Sequence, residues 1–327
     1  MNTTSFVKYA GALVALAICS ACASAVAPSN APLNSGYAGE TTAASPNLGA
    51  RPAYTTMLPD RPVKSKYYEY IINDYGSYAS IFDYPNSDKQ IGSINNVGGQ
   101  GCTNVLYGYG KQTFWIVAGA DQISEYSVPK KLLKNLSVSV GSPSSCAMDT
   151  SGDLAVGILY GQGGGDVVIF KNATGNGTVI TTPLIREYFD GYDNNGNLFF
   201  DGFDYGSNFE LLEIPKGTTK VEAITTSNVV QFPGSVQWDG TYLVVTDQKA
   251  DAMYRYTVKG TKATLQGKVR LSDIGDCAQT WIATGIVFCA DAHYGEGSVF
   301  KYPAGGKALA VFKGRFDLPL GTVAVEK

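Results

Sequence analysis

The chain holds a single histidine, His293, which stands two residues after Asp291 in the run Asp-Ala-His-Tyr-Gly-Glu-Gly. An imidazole beside a carboxylate is the simplest general base, because the carboxylate orients the ring and stabilises its protonated form. Base catalysis also needs a positioned nucleophile or a second proton carrier, and the sequence pairs His293 with neither. It is read as a loop residue on a prospective ligand face, and no catalytic residue is assigned. Acids recur at comparable places, with Asp74, Asp121, Asp204, Asp247 and Asp291 each closing a short apolar run. Such a set forms an acidic binding face, or else each Asp accepts hydrogen bonds from its own loop. Lysines occupy the next turn of the same units: Lys89, Lys130, Lys131, Lys216, Lys220, Lys259, Lys262 and Lys307. The two sets predict an acidic face and an opposite basic one.

Cysteine supplies a second kind of chemistry. Of six cysteines, Cys19 and Cys22 lie in an apolar leader, which leaves Cys102, Cys146, Cys277 and Cys289. An even number in an exported chain reads as a disulfide framework. Cys277 and Cys289 fall on neighbouring strands of one expected hairpin, so a bridge between them is geometrically reasonable. That leaves Cys102 with Cys146, or two buried free thiols. The glycine run Gly-Gln-Gly-Gly-Gly-Asp at 161–166 is followed by no helix and no Lys/Ser pair, so it reads as an inter-strand loop and not as a phosphate cradle.

The elements that must position these residues repeat. Segments ending in an alternating apolar strand and a Gly, Pro or Lys turn occur at 79–89, 123–131, 166–177, 209–220, 252–262 and 297–307. From Phe82 to Phe300 the mean period is close to 44 residues, the size of a four-stranded propeller blade. Composition agrees, with 38 Gly, 21 Tyr, 14 Phe and 16% charged residues and no 3.6-residue apolar stripe. The expected fold is all-β, a six-bladed β-propeller of four-stranded antiparallel blades. The run at 318–327 has no partners after it and the run from 67 lacks a strand before it, so the C-terminal strand is expected to pair with the N-terminal blade. Blades are placed at 318–327 plus 67–95, 100–138, 143–180, 187–225, 232–270 and 275–313. First hairpins turn at 150–153, 193–197, 238–240 and 283–285, where Gly and Asn accept positive φ.

Residues 1–22 read as a signal peptide, with Lys8 before an apolar run too short to span a bilayer. Cys22 after Ser20 and Ala21 has the look of a bacterial lipoprotein anchor, and cleavage after Ala23 or Ala25 is the alternative. Residues 23–65 are an Ala/Pro/Ser/Thr-rich linker, and the propeller occupies 66–327. A cell-envelope lipoprotein, periplasmic or on the outer surface, is expected, with secretion as the alternative. Contact with membrane is expected only through the lipid. A net charge of −3 argues against nucleic acid.

The runs Met-Asp-Thr-Ser-Gly-Asp-Leu-Ala-Val-Gly at 148–157 and Asp-Asn-Asn-Gly-Asn-Leu-Phe-Phe-Asp-Gly at 193–202 resemble the repeat signature of NHL-type propellers. Val-Phe-Lys-Tyr-Pro-Ala-Gly-Gly at 299–306 resembles the third-strand ending of exported bacterial propeller proteins in the same superfamily, which includes the gluconolactonase-like propellers. The likeness covers about 260 residues and implies fold far more than activity. Gluconolactonase-like members hold a divalent ion with Glu, Asn and Asp. The nearest candidates here are Glu326, Asn104, Asp190 and Asp193, although the spacing from Asp190 to Asp193 is shorter than the family pattern. A relative, virginiamycin B lyase, uses histidine chemistry that one histidine does not supply. Trp115, Trp238 and Trp281, with Tyr67, Tyr68, Tyr70, Tyr75, Tyr78 and Tyr84, form either a sugar-stacking platform or packing between blades. The expectation is a monomeric, non-catalytic binding or scaffolding module for an unknown protein or glycan, without cofactor. A metal-dependent lactonase using calcium at the channel mouth is the alternative.

Overall fold

The computed structural model describes residues 67–73, 77–103, 113–118, 121–161 and 163–327. The leader, Cys22, the linker, Asp74, Tyr75 and Asn104 lie outside the described residues.

Strand follows strand along the chain. The first three are β1 (Tyr67–Asn73), β2 (Tyr78–Tyr84) and β3 (Gln90–Asn95). Then come β4 (Gly101–Cys102), β5 (Thr113–Val117), β6 (Gln122–Ser127) and β7 (Lys131–Ser137), which pair in that order as one four-stranded sheet. Next are β8 (Gly141–Met148), β9 (Leu154–Gly161), β10 (Gly165–Phe170), β11 (Thr178–Tyr192), β12 (Leu198–Asp204), β13 (Phe209–Ile214) and β14 (Glu222–Thr226). They are followed by β15 (Val236–Trp238), β16 (Leu243–Asp247), β17 (Ala252–Lys259) and β18 (Lys262–Arg270). The series ends with β19 (Cys277–Ala283), β20 (Ile286–Asp291), β21 (Glu296–Lys301), β22 (Gly305–Val311) and β23 (Pro319–Glu326).

The strands β19 to β22 form a second four-stranded sheet, and a third has the order β23-β1-β2-β3. In that sheet β23 lies antiparallel to β1, with Tyr67 opposite Glu326 and Asn73 opposite Pro319. Every residue of β23 except Glu326 is buried, so its Val and Leu side chains supply the apolar area that offsets the ordering of the strand. Strands β8 to β18 make one curled sheet of 11. The result is a β-propeller-like all-β fold.

One boundary differs from expectation. Separate strands were expected on either side of residues 181–186, and β11 instead runs unbroken for 15 residues. Its first half pairs with β10 and its second half with β12, and register shifts at Leu184/Arg186 and Glu187/Phe189 re-aim the side chains between the two jobs. The segment is rich in β-branched and aromatic residues and contains no glycine before Gly191, and its one proline, Pro183, falls in the irregularity between Thr181 and Leu184, where no ladder bond needs its N–H. The curled sheet is completed by a short parallel contact of β14 with β18 through Thr225 and Thr226.

Turn chemistry explains the first hairpins. Asp193 accepts from the backbone N–H groups of Asn195 and Asn197, both at 2.8 Å, and Gly196 takes φ +84. Asp149 closes the 149–153 turn in the same way, accepting from Ser151 at 2.9 Å and Asp153 at 2.7 Å. The prolines of three repeat endings, Pro85, Pro129 and Pro303, follow cis peptide bonds.

Packing between sheets is aromatic. Phe82 stacks on Phe312 with centroids 4.5 Å apart, Tyr84 meets Phe288 edge-on at 5.5 Å, and Tyr70 lies 4.0 Å from Phe114. Such pairs each add about 0.5–1.5 kcal/mol beyond the area they bury. The innermost strands approach more closely still. A Cβ at Gly191 would overlap the Val236 carbonyl, and one at Gly321 would overlap the Gly99 carbonyl.

Candidate functional site

The four described loop aspartates do not present a common acidic surface. Asp247 is buried, and its carboxylate accepts from the N–H groups of Gln231 at 2.9 Å, Phe232 at 3.3 Å and Ala250 at 3.2 Å. Asp291 is buried likewise and accepts from Gly275 at 2.9 Å, Asp276 at 3.3 Å, and His293 and Tyr294 at 3.0 Å each. Both acids are spent on loop closure. Asp204 accepts from Gly206 and Asn208, which holds its carboxyl below the usual range. Asp121 is exposed. Asp204, at the start of the β12–β13 turn, and Lys216, just past Ile214, flank opposite ends of β13. The imidazole of His293 packs over Gly275 and meets Tyr294 edge-on at 5.0 Å. No nucleophile is brought to it among the contacts of the described residues.

The residues nominated for a divalent ion do not converge. Asp193 caps its own turn, and Glu326 is exposed at the end of β23. Asp190 is buried near the end of β11 beside Ser145. Among the described residues, no group of three or more His, Cys, Asp or Glu is arranged to hold a metal ion. Asn104, the fourth residue nominated, lies outside the described residues. Most of the aromatic platform is packed away: Tyr67, Tyr70, Tyr78, Tyr84, Trp115 and Trp281 are core residues, and Trp281 also borders a small cavity with the partly buried Trp238.

That centre is tied across by glutamines. The Gln279 side chain donates to the Gly101 carbonyl at 3.0 Å and accepts from Thr322 N–H at 2.7 Å, joining three sheets. Gln237 donates to the Ile282 carbonyl at 3.2 Å and accepts from its N–H at 2.7 Å. Gln100 donates to the Tyr188 carbonyl at 2.8 Å. An amide carries both donor and acceptor, so it can stand in for a missing strand partner. Both Cys pairs are bonded, Cys102 to Cys146 between β4 and β8, and Cys277 to Cys289 within the β19–β20 hairpin.

A buried acid cluster lies beside these clamps. Ser145 Oγ donates to Asp190 Oδ1 and sits 3.1 Å from both Glu187 carboxyl oxygens. One hydroxyl has one proton, so it cannot satisfy two carboxylates at once. Burial drives Glu187 well above the usual range, and the neighbouring Asp190 and Asp201 charges add to it. Burial pushes Asp190 up to about 7 against bonds from Ser145 and Gly157. Asp201 is raised in the same way, burial outweighing bonds from the Gly234 and Phe189 backbone. Glu69, which accepts from Thr322 Oγ1, is a second buried acid raised by burial. Sequence reasoning passed over Glu69, Glu187 and Asp201. Their signal was an acid flanked by aromatics inside a strand, as in Tyr-Glu-Tyr at 68–70 and Phe-Phe-Asp at 199–201.

Two cavities open on the side of the first hairpin turns. A cleft of about 370 Å³ between β10 and β13 has an apolar floor of Ile169, Ile180, Leu198 and Ile214, with Lys216 and the Lys171–Asp153 ion pair on its walls. A much smaller one, about 40 Å³, sits where the inner strands end and is lined by the Cys102–Cys146 bridge, Asp190, Tyr192, Trp238 and Trp281.

Comparison with known proteins agrees with this architecture. No family model matches the chain, and no curated protein matches it in sequence. Solved structures do match. A chain of the nidogen/laminin complex superposes with a TM-score of 0.59 at 11% identity, covering 79% of this chain and 98% of that one. A functionally unknown protein of Desulfotomaculum acetoxidans gives 0.52 at 9% identity with the same coverage. At such identities the likeness is one of fold alone. The disulfides point to an oxidising environment, extracellular or periplasmic. No helix among the described residues is long and apolar enough to cross a membrane.

Proposed function

We propose that the chain is an exported, non-catalytic binding or scaffolding module, a six-bladed ring closed by β23 and held at a membrane by lipid on Cys22. The six sets of four strands, with β11 serving two of them, support the blade count. The observation that carries the functional reading is the filled centre. Gln100, Gln237 and Gln279 spend their amides on neighbouring backbone, and the cavity that remains has room for little more than one small polar group. A hydrolase of this shape needs a substrate carbonyl brought to convergent ligands or a base at the channel. A binding module needs only a rigid rim, which the clamps provide. A chain of similar fold stands in the nidogen/laminin complex, an assembly of proteins.

Lactone hydrolysis, measured with and without added calcium, tests this reading. The expected rate is that of buffer in both conditions. Calcium-dependent turnover that disappears in Asp190→Asn would overturn it in favour of the lactonase.

A further inference from the structure

The cleft between β10 and β13 has a volume of about 370 Å³, within the range of roughly 300–1,000 Å³ typical of small-ligand sites. Its floor is aliphatic: Ile180, Leu198 and Ile214 are buried and Ile169 is partly so. The backbones beneath are already paired, Ile169 with Thr178, Ile180 with Val167 and Leu198 with Ile214, so the floor offers nothing to a polar amide. Tyr192 borders both this cleft and the smaller cavity, and so walls the cleft on the side of the centre. Such a floor selects a hydrocarbon ahead of a sugar or a peptide backbone, whose polar groups would lie on it without partners.

The walls decide the charge. Asp149 accepts from the N–H groups of Ser151 at 2.9 Å and Asp153 at 2.7 Å. Asp153 in turn holds Lys171 Nζ at 2.6 Å and the Asn172 N–H at 2.9 Å. Both acids and Lys171 are therefore engaged within their own turns. Lys216 is placed differently. Its stem lies along Gly196, where an added Cβ would stand 3.1 Å from Cδ and 3.2 Å from Nζ, which sets the ammonium at the turn end of the cleft. No carboxylate lies within ion-pair distance of it among the described residues. What remains uncommitted is one cation at the rim of an aliphatic floor, and its complement is an anion on a hydrocarbon chain.

We propose that this cleft binds an unbranched aliphatic monocarboxylate, its chain lying on Ile169, Ile180, Leu198 and Ile214 and its carboxylate accepting from Lys216 Nζ. The inference rests on the binding-module reading and gives it a ligand class at a site off the centre.

Isothermal titration of the mature chain with hexanoate and octanoate, and with octanol, octylammonium and acetyl-leucyl-leucine as controls, tests the assignment. Octanoate is expected to give saturable heat and to bind about tenfold tighter than hexanoate, because it buries two more methylenes. It is also expected to bind about three- to fivefold tighter than octanol, and Lys216→Met, a change at an exposed side chain, should erase that difference. Ile169→Trp fills the floor and should abolish the binding of octanoate and octanol alike, with unchanged circular dichroism keeping the result independent of folding. Absence of saturable heat up to about 20 mM octanoate would overturn the proposal, as would octanol or octylammonium binding as tightly as octanoate, or an unchanged affinity in Lys216→Met. Tighter binding of acetyl-leucyl-leucine than of octanoate would make the occupant a peptide C-terminus and would overturn it as well. Because the titration does not read hydrolysis, a negative result leaves the non-catalytic reading standing, and lactone turnover would remove that reading whatever the cleft binds.

Discussion

Glu187, Asp190 and Asp201 are three acids placed where water cannot reach them, with too few hydrogen-bond donors for three negative charges. In the unfolded chain such carboxyls titrate near about 4, and in the fold they keep their protons to higher pH. Their contribution to stability is complete below the unfolded value and is lost as pH rises through the folded one, about 7 for Asp190. Stability should therefore fall between pH 5 and pH 8. Glu187→Gln keeps the shape and removes one charge, and at pH 8 it should be more stable than the parent by about 1–2 kcal/mol, with a flatter profile. Urea midpoints at the two pH values check this, and a decline as steep as the parent's would refute it. Gly157 belongs to the same cluster, since any Cβ there would overlap the Glu187 carboxylate and Ser145 Oγ. Glu187 was the least legible of the three, because alternation from the buried Ile180, Thr182 and Leu184 puts it on the solvent side of β11. The register shift between Leu184 and Arg186, a tertiary effect, turns it inward. The loop aspartates were legible as repeats, and of the two uses offered for them Asp247 and Asp291 take the second, accepting from loop backbone.

Among the elements, the two disulfides do unequal work. Cys102–Cys146 closes 44 residues and joins separate sheets, whereas Cys277–Cys289 closes 12 within a single hairpin. In the loop-closure account the first constrains the unfolded chain by about 4 kcal/mol and the second by about 3 kcal/mol. Replacing Cys102 and Cys146 together by Ser should thus cost about 1 kcal/mol more than the same change at Cys277 and Cys289. Guanidinium midpoints of the two double variants decide the order. The hairpin pair was readable from spacing, since twelve residues around a Thr-Gly turn put both cysteines on facing strands. The turns at 149–153 and 193–197 were readable for a local reason too, as Asp, Asn and Gly write their own conformation. The fusion of two strands into β11 had no such mark. Pro183 reads as a breaker, yet it falls in the irregularity between Thr181 and Leu184, where its missing N–H costs no ladder bond, so the local signal there misleads.

At the scale of the molecule, the all-β, propeller-like architecture was written in the period of the third strands, where Phe82, Tyr126, Phe170 and Phe300 are all buried. The pairing of β23 with β1 brings Tyr67 against Glu326 and covers an edge that would otherwise be open. Deleting residues 319–327 strips the buried partner from β1 and should abolish cooperative unfolding and leave the protein aggregated. Thermal circular dichroism with size-exclusion chromatography reads both, and a soluble monomer with a sharp transition would show that the remaining sheets stand without it. The shared strand β11 carries a mechanical corollary. Since one length of backbone is both the last strand of one sheet and the first of the next, the seam between them cannot hinge, and the parallel touch of β14 on β18 splints the following seam. The seams flanking β4–β7 and β19–β22 share no strand and are held by side chains instead, the Cys102–Cys146 bridge and the Gln237 and Gln279 clamps, so stiffness there rests on a few replaceable bonds.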